Sequence, residues 1–321
     1  MSSKDINMNL NYVMTFILFA IMVILYTRYI YKREIEINDP SILDAMKEFM
    51  INDCDKDMKT MLWIHVPREI NARSWKSFYG RNSNGVNMPF IYLCIRSIVE
   101  SCGKCFQIML IDDTSFGKLL SDWEFDLSRV GSPLKEKLRY LGLSKLLYEY
   151  GGLVLPKSFL CMKNLMPLYQ EGCSHQKPFV AERIIGREHF TCNHQFIGCI
   201  KNCPTMKKFI DFQENLNGRD YTDQSIFLKQ LDKWIYSNLG KFNIIDGKKI
   251  GIKNKDNKPI NLEDLFGEKH LQLACFTSGI LIPEDELCKR NHYNWFCYLN
   301  EKQILDSNMV LSKYFLMSRQ K

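Results

Sequence analysis

The chain has 321 residues, and its 46% hydrophobic and 25% charged content is typical of a globular protein that can bury a sizeable core. The net charge of +7 is modest and the basic residues are spread along the chain, which excludes a nucleic-acid-binding stripe, so we expect no nucleic acid as a partner. The 12 cysteines in a chain of this length predict buried or unpaired thiols and exclude a small disulfide-stapled scaffold.

An apolar segment near the N-terminus predicts one transmembrane helix. Residues 6–27 contain no charged residue, residues 12–26 are almost entirely apolar, and tyrosines lie at both ends of the segment. No small-residue cleavage motif follows, so we predict a retained signal anchor over residues 12–31, behind a flank of residues 1–11. The protein is therefore expected to be a single-pass membrane protein.

The body of the protein is predicted over residues 59–321. Residues 32–58 are polar and charged and predict a linker with one short amphipathic helix. The first strand of the body, Met61–Val66, presents His65 at its C-terminal edge, which is where open parallel sheets bind nucleotides. His65 is therefore a candidate nucleotide-binding residue; the alternative is a core histidine with satisfied nitrogens.

The second strand brings two carboxylates to the same edge of the predicted sheet. Phe106–Ile111 is an apolar run, and Asp112 and Asp113 follow it directly. Carboxylates at a strand end suit ribose hydroxyls or a metal ion. The alternative is that Asp113 only caps a helix beginning at Ser115.

A helix, a glycine turn and a strand occupy residues 132–155. Ser132, followed by a proline, predicts the helix start. Gly151 and Gly152 predict its end, before a short buried strand, Leu153–Leu155.

One arginine lies on a face of this helix that is otherwise apolar. Arg139 shares the spacing i, i+4, i+7, i+11 with Leu143, Leu146 and Tyr150. Such an arginine needs a partner, which is either solvent or a core carboxylate, or a phosphate or acidic ligand of a sugar nucleotide.

The pattern R-x-x-x-L-x-x-x-L-x-x-Y-G-G over residues 139–152 resembles the helix and turn of GT-A glycosyltransferases with a DXD sugar-binding region. These are the initiating-mannosyltransferase and capsular-polysaccharide-synthesis-like families. The strands at residues 61–67 and 106–113 and the segment Asn193–Gly198 extend the resemblance over roughly residues 61–216. It implies a GT-A-like, Rossmann-like α/β fold with a mostly parallel sheet flanked by helices. It also implies transfer of a hexose from a nucleotide sugar to a glycan or lipid-linked acceptor.

The chain departs from this family at the DXD motif itself. In the family the glycine pair leads into a strand ending in Asp-x-Asp, which holds a divalent cation, Mn or Mg, on the donor diphosphate. Here Pro156 and Ser158 occupy the two carboxylate positions, with Lys157 between them, and neither is a comparable oxygen ligand. Lys157 can neutralise a diphosphate without metal, or the site is inactive. Asp113 is the remaining candidate metal ligand.

The resemblance also assigns roles to the remaining candidates. Arg139 and Lys157 are expected on the diphosphate, Asp112 or Asp113 on ribose or metal, and Gly151 and Gly152 where the backbone approaches the donor closely.

Further strands and helices are predicted in the C-terminal half. Strands are expected over residues 178–183 and 190–200, and a helix over residues 204–216. Asp223, at the start of the next helix, resembles the acceptor-side catalytic carboxylate of several GT-A enzymes, and the alternative is a capping role. Asp246-Gly247 predicts a hairpin over residues 242–252.

Two functions follow from these observations. The leading one is a membrane-anchored glycosyltransferase; the alternative is a catalytically inactive membrane-anchored relative that acts as a binding or structural component. Basic residues after the predicted span favour a cytoplasmic body, whereas the resemblance favours the Golgi lumen; these residues are Arg28, Lys32 and Arg33. The abundance of asparagine, lysine and isoleucine resembles that of relatives in large DNA viruses.

Overall fold

The computed structural model describes residues 17–29, 59–67, 88–185, 189–219 and 224–319. The chain divides into two compact units, Met1–Phe49 and Met50–Lys321. In the first unit, residues 17–29 form a helix (α1) with exposed apolar side chains. Among the described residues, no helix is both long and apolar enough to cross a membrane. The predicted anchor extends beyond the described helix at both ends, and the predicted linker lies wholly outside the described residues.

The second unit is built on a six-stranded sheet. Its strands are β1 (Thr60–His65), β2 (Phe106–Ile111), β3 (Gly152–Leu155), β5 (Phe179–Ile185), β6 (His189–Cys199) and β7 (Asn243–Ile245). Their order is β2-β1-β3-β6-β5-β7, and all neighbours are parallel except that β6 is antiparallel to both β3 and β5. The predicted α/β body, with a mostly parallel central sheet flanked by helices, is confirmed.

Helices accompany the sheet along the chain. In order they are α2 (Pro89–Cys102), α3 (Ser115–Leu119), α4 (Leu134–Tyr150), α5 (Met166–Gly172), α6 (Pro204–Asn217), α7 (Gln224–Ser237), α8 (Leu262–Phe266), α9 (Glu284–Lys289), α10 (Glu301–Leu305) and α11 (Val310–Arg319). The long helix α4 packs against α6, α7 and β6. Its buried Leu146 and Leu147 share a hydrophobic core with Phe209 and Phe227, so apolar burial holds α4 in place on the sheet.

The start of α4 differs from the prediction. The residue before the helix is Pro133, and no side chain caps the first turn. Instead of capping the backbone, the Ser132 hydroxyl donates a hydrogen bond to Glu136 Oε1 at 2.6 Å. Ser132 therefore lies one residue too early to act as the predicted N-cap.

The glycine pair after α4 is required by the chain's own packing. Gly151 and Gly152 have φ of 73° and 105°, values that side-chain-bearing residues rarely adopt. A Cβ on Gly152 would overlap the carbonyl oxygen of Met61, and one on Gly151 would lie 2.7 Å from the amide nitrogen of Lys201. The two glycines therefore let α4 turn sharply into β3, alongside β1 and the loop around residue 201.

A second, two-stranded sheet joins the middle of the chain to its C-terminal part. After the turn at residues 156–158, β4 (Phe159–Cys161) pairs antiparallel with β8 (Gly279–Leu281). Ser158 strengthens the connection, because its hydroxyl donates to the carbonyl of Ile282 at 2.8 Å. This ribbon brings the start of α9 beside the turn that follows β3.

The predicted hairpin over residues 242–252 is wrong. The strand β7 is three residues long and pairs in parallel with β5, and a series of turns follows it. Asp246 accepts a hydrogen bond from the amide of Lys248 at 2.8 Å, so its carboxylate stabilises a local turn. The isoleucines expected to form the second arm, Ile250 and Ile252, are instead buried.

Candidate functional site

A cavity of ≈ 440 Å³ opens where β1 and β3 end. His65 and Pro156 line it from the strand ends, and Arg139 lines it from α4. The opposite wall includes residues 283–286, at the start of α9. The cavity therefore lies at the carboxyl ends of parallel strands, the usual place for ligands in open α/β sheets.

A partly buried ion pair supports one wall of this site, and Arg139 is the member of the pair that lines the cavity. Arg139 donates from Nε to Asp113 Oδ1 at 2.9 Å and from Nη2 to Asp113 Oδ2 at 2.7 Å, which is a bidentate arrangement. The Arg139 and Asp113 side chains are 12% and 19% exposed. Of the partners left open for Arg139 by the sequence, a carboxylate is therefore present, and it is Asp113.

His65 completes this wall. Its Nε2 lies 3.0 Å from Asp113 Oδ1, and because an ionised carboxylate only accepts hydrogen bonds, Nε2 is the protonated nitrogen. Burial lowers the pKa of His65 and outweighs the raising effect of the hydrogen bond and charge of Asp113. His65 is therefore neutral at pH 7, and it stacks on Phe116 with ring centroids 5.5 Å apart.

Asp113 stays ionised in this setting. Burial alone would raise the pKa of Asp113, but the hydrogen bonds from His65 and Arg139, together with the positive charge of Arg139, lower it well below its ordinary value. The site thus contains a fixed negative charge that is held by a fixed positive one.

The neighbouring acid, Asp112, has a different role. Its Oδ1 accepts hydrogen bonds from the Thr114 hydroxyl at 2.7 Å and from the Ser115 amide at 3.0 Å. These contacts stabilise the turn that leads into α3, whose preceding residue is Thr114 and which has no side-chain cap, so Asp113 does not cap this helix. Asp113 instead faces Arg139.

The turn after β3 carries the second set of charges. Lys157 Nζ lies 2.8 Å from Glu284 Oε1, and the two side chains are 21% and 20% exposed. Arg183, from β5, lies 3.4 Å from Asp285 and also lines the cavity. The first two residues of α9 therefore provide partners for two basic side chains of the site.

One carboxylate oxygen of the cavity is left without a partner. Glu136 lines the cavity from α4, and its Oε2 is buried with no hydrogen-bond partner among the described residues. A buried acceptor without a donor is unfavourable, but this oxygen is closed to solvent, so a ligand reaches it only if the Glu136 side chain moves. Farther along the wall, Gln195 lines the cavity, whereas His194 is buried and pairs with Asp232 at 2.9 Å.

The residues present do not fit a divalent metal ion. Both oxygens of Asp113 bind cationic or protonated donors, and Ser158 is buried and bonded to the backbone. Pro156 offers no side-chain ligand. Within the part of the chain that the structure describes, no cluster of three or more His, Cys, Asp or Glu residues is able to hold a metal ion.

The candidates predicted from sequence separate into groups. His65, Asp113 and Arg139 contact one another, although only His65 and Arg139 of the three line the cavity, and Lys157 lies in the turn beside α9. Gly151 and Gly152 do not line the cavity, because their close contacts are with other parts of the backbone. Asp223 lies outside the described residues.

Sequence reasoning missed the acidic residues at the start of α9. Three consecutive acids follow Pro283, and all three line the cavity: Glu284, Asp285 and Glu286. A proline followed by acids signals a helix start, but nothing in that signal places the helix opposite Lys157.

Comparisons with known proteins give a distant structural neighbour. No protein-family model and no curated protein sequence matches the chain. Among solved structures, the chain is similar to one named PaToxG glycosyltransferase, with a TM-score of 0.32 and 13% sequence identity. That alignment covers 65% of this chain and 78% of the neighbour.

Proposed function

We propose that the protein is a membrane-anchored, GT-A-like glycosyltransferase that moves a sugar from a nucleotide-sugar donor to a glycan or lipid-linked acceptor. The observation that carries this proposal is the cavity at the ends of β1 and β3, which is lined by Arg139, held in place by Asp113, and by Lys157. Ligands of open α/β sheets bind at this edge. The resemblance of residues 139–152 to the GT-A helix and turn supports the same assignment.

In this proposal the donor phosphates are held by cations of the protein. Lys157 occupies the centre of the degenerate DXD segment, and Arg183 lines the same cavity. Amine and guanidinium groups neutralise phosphate charge, so a divalent ion is not required at this position. We therefore propose metal-independent donor binding.

The buried wall orients the nucleoside. His65 and Arg139 line the cavity, whereas Asp113 does not line it and bonds to both of them. Asp113 is therefore a positioning residue, which holds the two side chains against which the nucleoside lies. Asp223 is retained as the proposed acceptor-side carboxylate.

The alternative function is an inactive, membrane-anchored binding protein. It is favoured by one observation, the absence of carboxylates at positions 156 and 158 together with the pairing of Lys157 by Glu284. In that case the cavity would bind a ligand without transferring a sugar.

Calorimetric titration of the full chain in detergent tests the proposal. UDP- and GDP-sugars are titrated with and without manganese into the wild type, Asp113→Ala and Lys157→Ala. Metal-free binding that is lost in Lys157→Ala, together with release of free nucleotide on adding acceptor, supports the transferase. Binding of a donor without any turnover identifies the inactive binding protein. Absence of heat with every donor refutes both the transferase and an inactive protein that binds nucleotide sugars.

We propose separately that the body lies on the cytoplasmic side of the membrane. The charges after residue 27 favour the cytoplasm, and no Asn-x-Ser/Thr sequon occurs in the chain. Protease digestion of sealed microsomes tests it, because a cytoplasmic body is cut without detergent and a lumenal body is protected.

A further inference from the structure

The start of α9 places carboxylates directly on the basic side chains of the cavity. Glu284 pairs with Lys157 at 2.8 Å and Asp285 pairs with Arg183 at 3.4 Å. The helix itself is anchored, because Leu287 is fully buried and Arg290 pairs with Glu263 at 3.0 Å. The two carboxylates are thus held at the cavity by a fixed backbone.

We propose that Glu284 is an internal counter-anion that sets the specificity of this site for diphosphates. The inference rests on the proposed function, because it concerns how the same cavity selects its ligand. An incoming anion competes with the Glu284 carboxylate for the Lys157 ammonium. Glu284 is therefore a specificity-determining residue, and it acts by competition.

The charges explain why this exchange is selective. A ligand with a single negative charge takes the place of the Glu284 carboxylate beside Lys157 without adding charge. Its contact with the Lys157 ammonium therefore adds little binding free energy. A diphosphate brings additional charge and further oxygen acceptors, which contact Lys157 and Arg183 together. Competition by Glu284 therefore weakens the binding of every anion but leaves diphosphates bound more tightly than singly charged anions.

The geometry permits the exchange without a backbone rearrangement. The Lys157–Glu284 pair is a single contact between side chains that are each about one-fifth exposed, so water reaches both groups. Rotation of the Glu284 side chain moves its carboxylate toward solvent, which costs little compared with moving the helix. The bidentate Arg139–Asp113 pair has no comparable freedom.

The test uses metal-free titration of the full chain with inorganic pyrophosphate, inorganic phosphate and UDP. In Glu284→Gln we expect pyrophosphate to bind up to about tenfold more tightly, the upper range for a partly buried pair. Phosphate should gain by a larger factor than pyrophosphate, so the ratio of the two affinities falls. In a Lys157→Gln background, the Glu284→Gln change should have no further effect on affinity.

Glu286→Gln is the matched control. Glu286 lies on the same helix and lines the cavity, but its nearest cation is Arg290 at 4.0 Å. The Glu286→Gln change removes the same unit of charge but leaves the Lys157–Glu284 pair intact, so we expect less than about a twofold change in affinity for pyrophosphate. If Glu284→Gln does not fold, Glu284→Asp shortens the side chain by one methylene and should give an intermediate gain.

Each possible result either supports the role of Glu284 or overturns it. Unchanged or weaker pyrophosphate binding in Glu284→Gln overturns the inference. A gain in pyrophosphate affinity that persists in the Lys157→Gln background also overturns it, as does the absence of pyrophosphate binding to every variant. Pyrophosphate binding that tightens while no nucleotide binds supports the counter-anion and refutes the transferase. UDP binding that is equal in wild type and Glu284→Gln keeps the transferase and refutes the counter-anion.

Discussion

Arg139 and Lys157 line the same cavity, each within an ion pair, and the two pairs differ in the number of bonds that hold them although their side chains are similarly exposed. Asp113–Arg139 is bidentate and supported by His65, whereas Lys157–Glu284 is a single contact. The first joins the end of β2 to α4, and the second joins a turn to α9. The comparison teaches that the number of bonds and the support of a third residue separate a structural pair from one that exchanges with ligand.

The largest expected effect breaks the buried pair. Arg139→Met leaves the Asp113 carboxylate without its bidentate donor, and we expect the free energy of unfolding to fall by about 3 kcal/mol. Urea denaturation followed by circular dichroism measures it. Arg129→Met is the control, since Arg129 is 86% exposed in its pair with Asp126 and should cost under about 0.5 kcal/mol. Equal losses in the two variants would contradict the distinction.

The second effect is a pH dependence at the same pair. The folded-state pKa of Asp113 lies below its ordinary value of 3.8, so its ionisation stabilises the fold above pH 3.8 and this stability is lost as pH falls toward the folded-state pKa. Asp113→Asn lacks this proton uptake. We expect a difference of about 2 kcal/mol in free energy of unfolding at pH 7 between wild type and Asp113→Asn, shrinking below pH 3.8.

Denaturant titrations between pH 2.5 and pH 7 measure this dependence. A constant difference between the two proteins over that range would show that Asp113 has no depressed pKa in the folded state.

The third effect compares the two adjacent acids. Asp112→Ala removes hydrogen bonds that stabilise the start of α3, and we expect a loss of about 1 kcal/mol in free energy of unfolding. Because Asp113 contacts Arg139 and His65, which line the cavity, the loss of UDP affinity should be smaller in Asp112→Ala than in Asp113→Ala. Thermal unfolding and calorimetry on both variants check this. The reverse order of affinities would assign the ligand contact to Asp112.

The smallest effect concerns the exchangeable pair. Lys157→Met breaks a single, partly exposed contact, so we expect a change of at most about 0.5 kcal/mol in free energy of unfolding. The same variant should lose most of its affinity for pyrophosphate. A stability loss as large as that of Arg139→Met would make Lys157 a structural residue.

The part of the site that could be predicted from sequence is the part made by local signals. The apolar runs of β1 and β2, the long helix α4 and its glycine stop were located to within a residue or two. These features depend on hydrophobic periodicity and on the unusual φ values that glycine allows. They brought His65, Asp113 and Arg139 into consideration together.

The part that could not be predicted depends on contacts far apart in the chain. The strands β4 and β8 are each three residues long, too short to give a pattern, and their pairing joins Phe159 to Leu281. Glu284 reaches Lys157 only through that pairing. The Asp246-Gly247 turn failed as a hairpin signal because burial of Ile250 and Ile252 outweighed the local preference.

The same ribbon determines when the cavity can form during synthesis of the protein. The wall that contains His65, Asp113 and Arg139 is translated more than 100 residues before Glu284. A growing chain can therefore assemble β1, β2, α4 and β3 while Lys157 is still without its carboxylate partner. On a ribosome, the site passes through an open, cationic stage that the finished protein no longer has.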